Sequence, residues 1–512
     1  MPAWVVSARE SAERDRAATE KGTPSRSLMQ RAGNAAAAEI TRRYGERLKS
    51  GAVVFAGPGN NGGDGWVVAG ALAAADVKVS VIETGTPDPR KSPDAVAERE
   101  AAVPRVTVMR DTPGDTGVVV DALLGTGFEG EPRAEIAAAI GRINALRGKG
   151  AAVVAIDVPS GLNATTGQHS TVVVADLTTS FGGVKRGLLL ARDCCGEIAV
   201  IDIGLDDAKS WRSARLPMLV DGKWVKSRVP PIRYDAHKGT RKHLAIVGAG
   251  AGMPGAVVLA ARAALRSGIG LVRTMVAPEN AGAVLNAVPS ALNATWPDGD
   301  ARIKTEIASW ADAVVIGPGL GKSNESRGLV ERILSAADVP VLFDADALNV
   351  FADDTASFAR LLLGKKALLT PHVAEFARLM DTTADKVLDN RFDIGTDLAQ
   401  KLGAVVLLKG TPTVIFSPNG DRLVVARGSA ALGTGGSGDI LAGVAGTMLA
   451  QIGDTIDAAA CAAWIHGRAA ELCDYVRGTT LEDVLYALPR AWNEPEPAYE
   501  SPVLAVLPNV AR

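Results

Sequence analysis

The sequence predicts an α/β protein of two domains, the first of them built on a doubly wound parallel sheet. Short β-branched runs alternate with alanine-rich stretches from Gly51 onward, and a second alternating series starts afresh at His243. Such alternation is typical of parallel sheets with helical crossovers. The chain has 512 residues, of which 47% are hydrophobic, so it can form two cores. Alternation lapses around Pro230 and Pro231, and we expect domains over residues 1–222 and 223–512.

The predicted strands are short apolar runs that end at glycine, proline or acidic residues. In the first domain they lie within 52–56, 77–83, 117–125, 150–159, 175–181 and 196–205. In the second domain they lie within 243–252, 270–277, 312–321, 340–348, 367–372, 404–410 and 412–418. The charged N-terminus has the apolar spacing of an amphipathic helix, and the segment from Ala134 reads as another helix. The proline- and glutamate-rich tail after Asn493 is expected to pack loosely.

Composition and charge favour an enzyme of small molecules over a binder of nucleic acid or membrane. The formal net charge of −2 provides no basic field for either polyanion. The N-terminus lacks the apolar core of a secretion signal, and the longest apolar run is about half of a bilayer span. The four cysteines lack metal-ligand spacing. We expect a cytoplasmic homo-oligomer with reduced cysteines and no nucleic-acid or membrane partner.

The stretch Gly57–Gly65 joins a predicted strand to a predicted helix and combines glycines with amide and carboxylate side chains. Its glycines fit the G-x-G-x-x-G pattern of Rossmann-like dinucleotide-binding folds, and Glu83 lies where a ribose-binding acid would follow. The same pattern recurs from Gly250 to Gly255, so it discriminates weakly, and a tight turn without ligand is the alternative. Its amide and carboxylate oxygens are, in addition, suitable ligands for a cation.

Two later strand ends place polar groups at the same carboxyl edge of the predicted sheet. Asp121 precedes the sequence ALLGTG, and Asp157 and Ser160 belong to DVPSG. Ligands bind at this edge of parallel sheets, and an unpaired buried carboxylate is costly, so a functional role is favoured over a structural one.

The motifs NNGGDG, DALLGTG, DVPSG and FGGVKRG together resemble the epimerase domain that acts on the hydrates of reduced nicotinamide dinucleotides, NADHX and NADPHX. The resemblance covers nearly all of the first domain. Inversion of the carbon that bears the hydroxyl needs a general acid–base group near the nicotinamide, and Asp157 is the candidate, with Lys185 either its charge partner or a solvated loop lysine. The resemblance implies a potassium ion held by Asn61, Asp121 and Ser160. The hydrate-binding positions it implies are Asn60, Asn61, Gly62, Gly63, Asp64, Gly125, Thr126, Gly127, Phe128, Glu129, Gly130, Glu131 and Asp157.

A second glycine-rich turn, Leu432–Gly446, runs into an apolar helix near Asp439. The start of a helix presents free N–H groups and the positive end of its dipole, which suit a phosphate. Asp439 is there either a helix cap or a base aimed at a hydroxyl beside that phosphate. His372 directly follows a predicted strand, where substrate contact is favoured over a buried structural role.

The G-S-G-D sequence resembles the G-x-G-D motif of the ribokinase-like superfamily, and with the other strand ends it is similar to the ADP-dependent dehydratase of the same hydrates. The resemblance covers roughly residues 230 to 490 and implies a ribokinase-like α/β domain. ADP is the implied co-substrate, accompanied by Mg²⁺, and Asp439 is the implied catalytic base. The hydrate-binding positions are then Ala256, Gly319, His372 and Asp439, and the nucleotide-binding positions are Lys409, Gly410, Thr411, Pro412, Thr413 and Gly438.

Two positions depart from the patterns of these families. Gln30 stands where many relatives have an acid, and Lys242 where they commonly have a glycine. Two alternatives to a bifunctional repair enzyme are a small-molecule kinase fused to a regulatory Rossmann-like domain, and an enzyme whose first domain only binds partners. The polar residues retained at the first domain's strand ends argue against an inert domain, and an oxidoreductase lacks a site for a hydride acceptor.

Overall fold

The structure, a computed structural model, describes residues 2–114, 116–205, 215–473, 475–494, 496 and 499–510. The chain divides into two units: Met1–Met218 with Pro497–Arg512 form the first, and Leu219–Glu496 form the second. The division falls a few residues before the boundary expected after residue 222. The sequence analysis also assigned the last segment to the second domain, whereas it belongs to the first unit.

The first unit is built on a sheet with the strand order β4-β3-β2-β5-β6-β7-β9-β20. Neighbouring strands are parallel except β20, which is antiparallel to β9. Strands β1 and β8 form a separate parallel pair. The strands are β1 (Val5–Val6), β2 (Ala52–Ala56), β3 (Val79–Glu83), β4 (Thr107–Val108), β5 (Val118–Ala122), β6 (Ala152–Ile156), β7 (Leu177–Phe181), β8 (Val184–Lys185), β9 (Glu197–Ile201) and β20 (Val503–Leu507).

Helices cover both faces of this sheet, as the doubly wound prediction requires. Apolar residues of α2 and α3 pack on one face, and those of α5 pack on the other. The chain moves outward from β2 in one direction and from β5 in the other, so the order reverses between these two strands, where ligands bind in such sheets. The helices are α1 (Ala8–Glu20), α2 (Ser25–Leu48), α3 (Asn60–Ala74), α4 (Pro93–Ala102), α5 (Ala134–Gly148) and α6 (Arg186–Leu190), with 3₁₀ turns at Val103–Arg105 and Arg192–Cys194.

The expectation of a loosely packed tail is wrong for Val503–Leu507. This segment pairs with β9 as an edge strand, and Val503, Ala505 and Leu507 are buried while the residues between them are half-buried. The alternation of buried and half-buried residues is that of an edge strand with one face on the core. The flanking prolines and glutamates obscured this short pattern in the sequence.

The second unit contains a sheet with the strand order β10-β19-β18-β17-β16-β15-β14-β11-β12-β13. Strands from β13 to β17 are parallel, and β18 and β19 continue antiparallel. The order reverses between β11 and β14. The strands are β10 (Met218–Leu219), β11 (His243–Val247), β12 (Leu271–Val276), β13 (Leu292–Thr295), β14 (Ala313–Ile316), β15 (Val341–Phe343), β16 (Ala367–Leu369), β17 (Val405–Leu408), β18 (Thr413–Phe416) and β19 (Arg422–Val425).

The core of the second unit includes a close contact between the helices Pro254–Arg266 and Ser437–Gln451. A Cβ atom on Gly443 would lie 2.0 Å from the carbonyl oxygen of Ala260, so only glycine permits this approach. Further α-helices are Gly222–Lys226, Ala281–Ala287, Asp300–Ile303, Asn324–Ala336, Asp346–Asn349, Thr355–Leu362, Val373–Leu379, Ala384–Asp389, Gly395–Leu402, Thr455–Glu471 and Leu481–Asn493. Pro278–Asn280 and Ala430–Gly433 are 3₁₀ turns, and Lys304–Ala308 is a π-helical turn.

The structure confirms the α/β class in both units, and every strand predicted from a buried apolar run is present. The sequence analysis missed short or partly exposed strands, including β13 and β19. The N-terminal helix is present as α1, and a capping box of Ser7 and Glu10 defines its start. Among the described residues, none of the helices combines the length and the hydrophobicity that a bilayer span needs.

Candidate active sites

The glycine-rich stretch after β2 is a close backbone crossing at the sheet edge. Gly59 is the N-cap of α3, so both asparagines lie in the first helical turn. A Cβ on Gly57 would lie 2.0 Å from the Leu123 carbonyl oxygen, and one on Gly62 would lie 1.8 Å from the Gly57 carbonyl oxygen. These two glycines therefore permit the close backbone packing of this turn, and Asn60, Asn61 and Asp64 provide its polar side chains.

Asn61, Asp121 and Ser160 meet around the backbone of Leu124. The Asn61 amide donates to the Leu124 carbonyl (2.9 Å), and the Leu124 N–H donates to Ser160 Oγ (2.9 Å). The carboxylate of Asp121 accepts from the Ser160 hydroxyl (2.5 Å) and from the Ser160 N–H (2.7 Å). The structure thus brings together the three residues that the sequence analysis grouped as ion ligands.

Asp121 is fully buried, and no ion pair of it is found in the part of the chain that the structure describes. Burial raises its pKa to about 6, although the hydrogen bonds from Ser160 and Leu123 oppose this effect. A buried carboxylate without counter-charge among hydroxyl, amide and carbonyl oxygens is a donor set that suits a hard cation. In the described residues, no three His, Cys, Asp or Glu side chains are placed to hold a metal, so the set is one of mixed oxygens.

Asp157 and Lys185 form an ion pair at the ends of β6 and β8. The ammonium of Lys185 contacts Asp157 Oδ1 and also donates to the Phe181 carbonyl (2.8 Å). Lys185 is 1% exposed, which excludes the alternative of a solvated loop lysine. Asp157 has φ of +66°, a left-handed conformation that is strained for a non-glycine residue and frequent at active sites.

Further acidic groups surround this ion pair. Burial and the nearby carboxylates of Asp157 and Asp15 raise the pKa of Asp64 well above its usual value, and the charge of Lys185 opposes them. Asp15 on α1 was not singled out from the sequence, because an exposed acid on an amphipathic helix gives no signal. The segment Gly125–Glu131 follows β5 as a half-buried to exposed loop at the same edge of the sheet.

Two further polar side chains of this unit, Glu83 and Gln30, have structural partners. Glu83, the candidate ribose ligand, forms an ion pair with Arg99, with 3.1 Å between Oε2 and Nη2. Gln30 donates to Glu98 Oε1 (2.8 Å), so an acid at this position would face another carboxylate. The departure at Gln30 is therefore explained by its neighbour.

In the second unit, the loops after β11 and β14 contact each other at the switch point. Gly250 N–H donates to the Gly319 carbonyl (2.7 Å), and a Cβ on Gly319 would lie 3.2 Å from Ala256 Cβ. Ala249 has φ of +47° and Ala345, after β15, has φ of +49°. Non-glycine residues with a strained, positive φ thus follow two strands of this unit, and Asp157 is in the same conformation after β6 in the first unit.

Asp439 lies in the first turn of the helix Ser437–Gln451, whose N-cap is Gly436. Its half-buried carboxylate makes no hydrogen bond or ion pair with any described residue, so the structure favours a free base over a helix cap. Burial and the carboxylates of Asp344 and Asp346 raise the pKa of Asp439 to about 7, and the charge of Lys409 lowers it.

Lys409 follows β17 and contacts two buried acids. Its ammonium donates to Asp344 Oδ1 (2.8 Å) and lies 3.9 Å from Glu375 Oε2. Burial lowers the pKa of Lys409, but Asp344 and Glu375 outweigh this effect and raise it above its usual value. A Cβ on Gly438 would lie 3.3 Å from the ammonium, so the lysine sits beside the start of the Asp439 helix.

The segment Lys409–Thr413 is held by Arg391, which the sequence analysis missed. The guanidinium of Arg391 is buried and donates to the carbonyls of Lys409 (3.3 Å) and Pro412 (3.0 Å). The preceding sequence gives no signal for this role, because a lone arginine in a polar stretch usually lies in solvent.

His372 is the N-cap of the helix Val373–Leu379. Its Nδ1 accepts from the N–H groups of Ala374 (3.1 Å) and Glu375 (3.4 Å), and its Nε2 lies 3.3 Å from Glu375 Oε1. The side chain is half exposed, which leaves its outer face available to a ligand. Its predicted contact with substrate stays a prediction.

Comparison with known proteins assigns both units. Residues 25–187 match the family model described as YjeF-related protein N-terminus, and residues 244–490 match the NAD(P)H-hydrate dehydratase model. A bifunctional NAD(P)H-hydrate repair enzyme of Coxiella burnetii is 35% identical, over 90% of this chain and 93% of its own length. A protein of the same description from Vibrio cholerae is 34% identical, over 89% of this chain and 90% of its own.

A solved structure is similar to one part of the chain. The ADP/ATP-dependent NAD(P)H-hydrate dehydratase of Bacillus subtilis, co-crystallised with ATP and Mg²⁺, is 29% identical. It covers 52% of this chain and 95% of its own length, with a TM-score of 0.46.

Two α/β units, matched by an epimerase-type and a dehydratase family model, define a two-domain enzyme. The chain belongs to the family of bifunctional NAD(P)H-hydrate repair enzymes. Its function is the repair of hydrated reduced nicotinamide dinucleotides, by epimerisation of R- and S-NAD(P)HX and ADP-dependent dehydration of the S epimer to NAD(P)H.

Proposed function

We propose that Asp157 is the acid–base group of the epimerase and Asp439 the base of the dehydratase. The observation that supports this most is their environment: each carboxylate lies at a strand end or helix start on the ligand edge of its own unit, beside a buried lysine.

Epimerisation inverts the carbon that bears the hydroxyl group. The ring must open or lose the hydroxyl and then close, or regain it, on the opposite face. Asp157 would accept and return the proton in these steps, and such a group contributes typically about 10²–10⁴-fold to the rate. Lys185 holds the Asp157 carboxylate in place from a buried position. Asn60 to Asp64 and Gly125 to Glu131 would bind the hydrate around it.

We place a potassium ion at Asn61, Asp121 and Ser160. The buried Asp121 carboxylate provides the negative charge, and the Ser160 and Leu124 oxygens beside it provide neutral ligands. When bound, the ion supplies positive charge that compensates Asp121 and favours anionic groups of the dinucleotide. The chain itself orients the turns after β2, β5 and β6 through the hydrogen bonds around Leu124.

In the dehydration, phosphorylation converts the ring hydroxyl, a poor leaving group, into a phosphate, which is a good one. Asp439 takes the proton of the ring hydroxyl as the hydroxyl oxygen attacks the terminal phosphorus of ADP, and AMP leaves. The N–H groups at the start of the Asp439 helix stabilise the transferring phosphoryl group. The ring nitrogen then expels phosphate, and loss of a proton from the adjacent carbon restores the reduced ring.

The segment Lys409–Thr413 with Gly438 would bind the nucleotide, and Ala256, Gly319, His372 and Asp439 the hydrate. Mg²⁺ would arrive with ADP, because the phosphates and water provide most of its ligands in such sites. We predict that the enzyme is a homo-oligomer. We also predict that it is cytoplasmic, in line with the buried free thiols of Cys194, Cys195 and Cys461.

The test is incubation of the full-length protein with a mixture of NADHX epimers while reduced-nicotinamide absorbance is followed. With ADP, we expect recovery of NADH from both epimers; without ADP, the epimers should equilibrate but give no NADH. Asp157→Asn should restrict the recovery to the S fraction. Absence of ADP-dependent recovery in the wild type, or rapid recovery from both epimers in the Asp157 variant, would overturn these assignments.

A further inference from the structure

Asp344 is a buried carboxylate that the mechanism above does not use. It follows β15, is 2% exposed and precedes Ala345, whose φ of +49° is strained for a non-glycine residue. Its Oδ1 accepts from the Thr370 hydroxyl (2.8 Å) and from the Lys409 ammonium (2.8 Å). Two hydrogen bonds on one oxygen fix the orientation of this carboxylate, and the strained backbone at Ala345 indicates a constraint beyond packing.

The Asp344 carboxylate therefore holds the Lys409 ammonium, which keeps further hydrogen-bond donors for a ligand. An ammonium carries three donors, of which Asp344 takes one, and Glu375 lies at 3.9 Å, beyond hydrogen-bond distance. The donors that remain are available to an anionic ligand, such as a phosphate oxygen.

Gly438 places this ammonium next to the start of the Asp439 helix. A Cβ at this position would lie 3.3 Å from Lys409 Nζ and 3.8 Å from Asp344 Oδ2. Since glycine has no side chain, the space beside the ammonium at the helix start stays open. Among the first-turn N–H groups, those of Ser437, Asp439 and Ile440 donate to the Thr434 and Gly436 carbonyls, which leaves the N–H of Gly438. The lysine charge thus lies beside the Gly438 backbone at the positive end of the helix dipole, which suits a phosphoryl group.

We propose that Asp344 is a positioning residue of the dehydratase, which holds the Lys409 ammonium at the start of the Asp439 helix for the phosphates of ADP. The proposal rests on the proposed function of Asp439 and Lys409. Asp344 would not touch the substrate itself. It acts through Lys409, and the Thr370 hydroxyl, which donates to the same carboxylate oxygen, supports it.

Asp344 also affects the base electrostatically, because its charge opposes ionisation of Asp439. The charged and titratable groups around this cluster come from several elements of the unit. They are Asp344 and Asp346 after β15, His372 and Glu375 after β16, Lys409 after β17, Asp439 itself and the buried His466 on the helix Thr455–Glu471.

The test compares Asp344→Asn with Asp346→Asn in the full-length enzyme. Asp346 also raises the pKa of Asp439, but its oxygens accept from Gly321 N–H (2.9 Å) and Asn349 (3.3 Å) and leave Lys409 untouched. Both variants remove a charge near Asp439, so the acidic limb of the dehydratase pH profile should move to lower pH in both. Only Asp344→Asn should raise the KM for ADP, by about tenfold or more, because a misplaced charge loses the phosphate contact.

The KM for the hydrate should change by less than the KM for ADP in Asp344→Asn. Residual ADP-dependent turnover, with thermal unfolding of the variant compared with the wild type, reports that the second unit is folded. Thr370→Val removes a single support of Asp344 and should raise the KM for ADP by a smaller factor. Asp344→Glu, which keeps the charge but displaces it, should not restore the wild-type KM.

An unchanged KM for ADP in a folded Asp344→Asn enzyme, or an equal rise in Asp346→Asn, would overturn the positioning role. If Asp344→Asn is unfolded, the Thr370→Val result decides: an unchanged KM for ADP counts against the proposal. A wild-type enzyme without ADP-dependent dehydration would refute the proposed function instead, so the two failures are distinguishable.

Discussion

The two candidate sites each contain a lysine in an ion pair, fully buried at Lys185 and partly buried at Lys409, but the lysines pair with different partners. In the first unit Lys185 contacts Asp157, the candidate acid–base group itself. In the second unit Lys409 contacts Asp344, whereas the candidate base Asp439 makes no ion pair in the described part of the chain. In the first unit, Lys185 holds the Asp157 carboxylate in an ion pair. In the second unit, Asp439 has no such partner, and burial with the nearby Asp344 raises its pKa to about 7.

This difference matches the two reactions. Epimerisation needs one acid–base group that accepts and returns a proton beside the ring, and the ion pair with Lys185 holds the Asp157 carboxylate in one position. Phosphoryl transfer needs a base whose pKa lies near the operating pH, and a separate cation for the phosphate. Because Lys409 pairs with Asp344, Asp439 stays free to act as the base and the ammonium stays near the phosphate.

The largest expected effect separates the two sites. Asp439→Asn removes the base while leaving the helix start intact, so ADP-dependent dehydration should fall by about 10²–10⁴-fold. Epimerisation should stay at the wild-type rate. Stopped assays of both reactions on one preparation check this, and parallel loss of both activities would contradict separate sites.

Lys185→Met tests the ion pair of the first unit. The substitution removes the charge partner of Asp157, which lies in a largely buried position. Breaking a buried ion pair in this way lowers the free energy of unfolding by about 3–5 kcal/mol. Epimerase activity should fall with it, and dehydratase activity should persist. Thermal unfolding compared with the Asp157→Asn/Lys185→Met double variant is the control, since the neutral pair should recover stability without activity.

Removal of potassium should affect the first site alone. After exchange into a buffer whose cation is a large organic ammonium, epimerisation should decrease and return on addition of potassium chloride, because Asp121 lacks its counter-charge. Dehydration of pure S-NADHX should not follow this pattern. Equal epimerisation rates in both buffers would refute the ion site.

The pH dependence of dehydration should report the raised pKa of Asp439. A base acts when ionised, so the rate should be maximal above pH of about 7 and fall about tenfold for each pH unit below it. Rate measurements between mildly acidic and neutral pH, with circular dichroism as the control for unfolding, check this. A flat profile down to pH of about 5 would exclude Asp439 as the base.

The smallest expected effect concerns Lys242. It has φ of +75°, a left-handed conformation that favours glycine, and its ammonium lies 3.0 Å from Asp312 Oδ1. Lys242→Gly relieves strain but loses a partly exposed ion pair and gains freedom in the unfolded chain. We expect a change in unfolding free energy of less than about 1 kcal/mol. Urea unfolding measures it, and a large loss would show that the ion pair dominates.

The strand ends explain why much of both sites was accessible from sequence. Asp121, Asp157 and Ser160 follow buried apolar runs, and parallel strands bring such positions to one edge regardless of their separation in the chain. Asp344 carries the same signal, an acid directly after a buried strand, but the sequence did not distinguish it from the rest of the segment 340–348. Arg391 and Asp15 carry no such signal, because nothing in their local sequence indicates which backbone or charge they will meet.

By itself the sequence determined the α/β class, the family and the glycine turns, since apolar periodicity and close backbone approach are local requirements. Only the tertiary structure decided that Lys185 pairs with Asp157 while Lys409 pairs with Asp344, and that Val503–Leu507 completes the sheet of the first unit. These outcomes depend on contacts between distant segments. The free energy of burying a charge or a strand edge is set by what lies opposite, which no local pattern encodes.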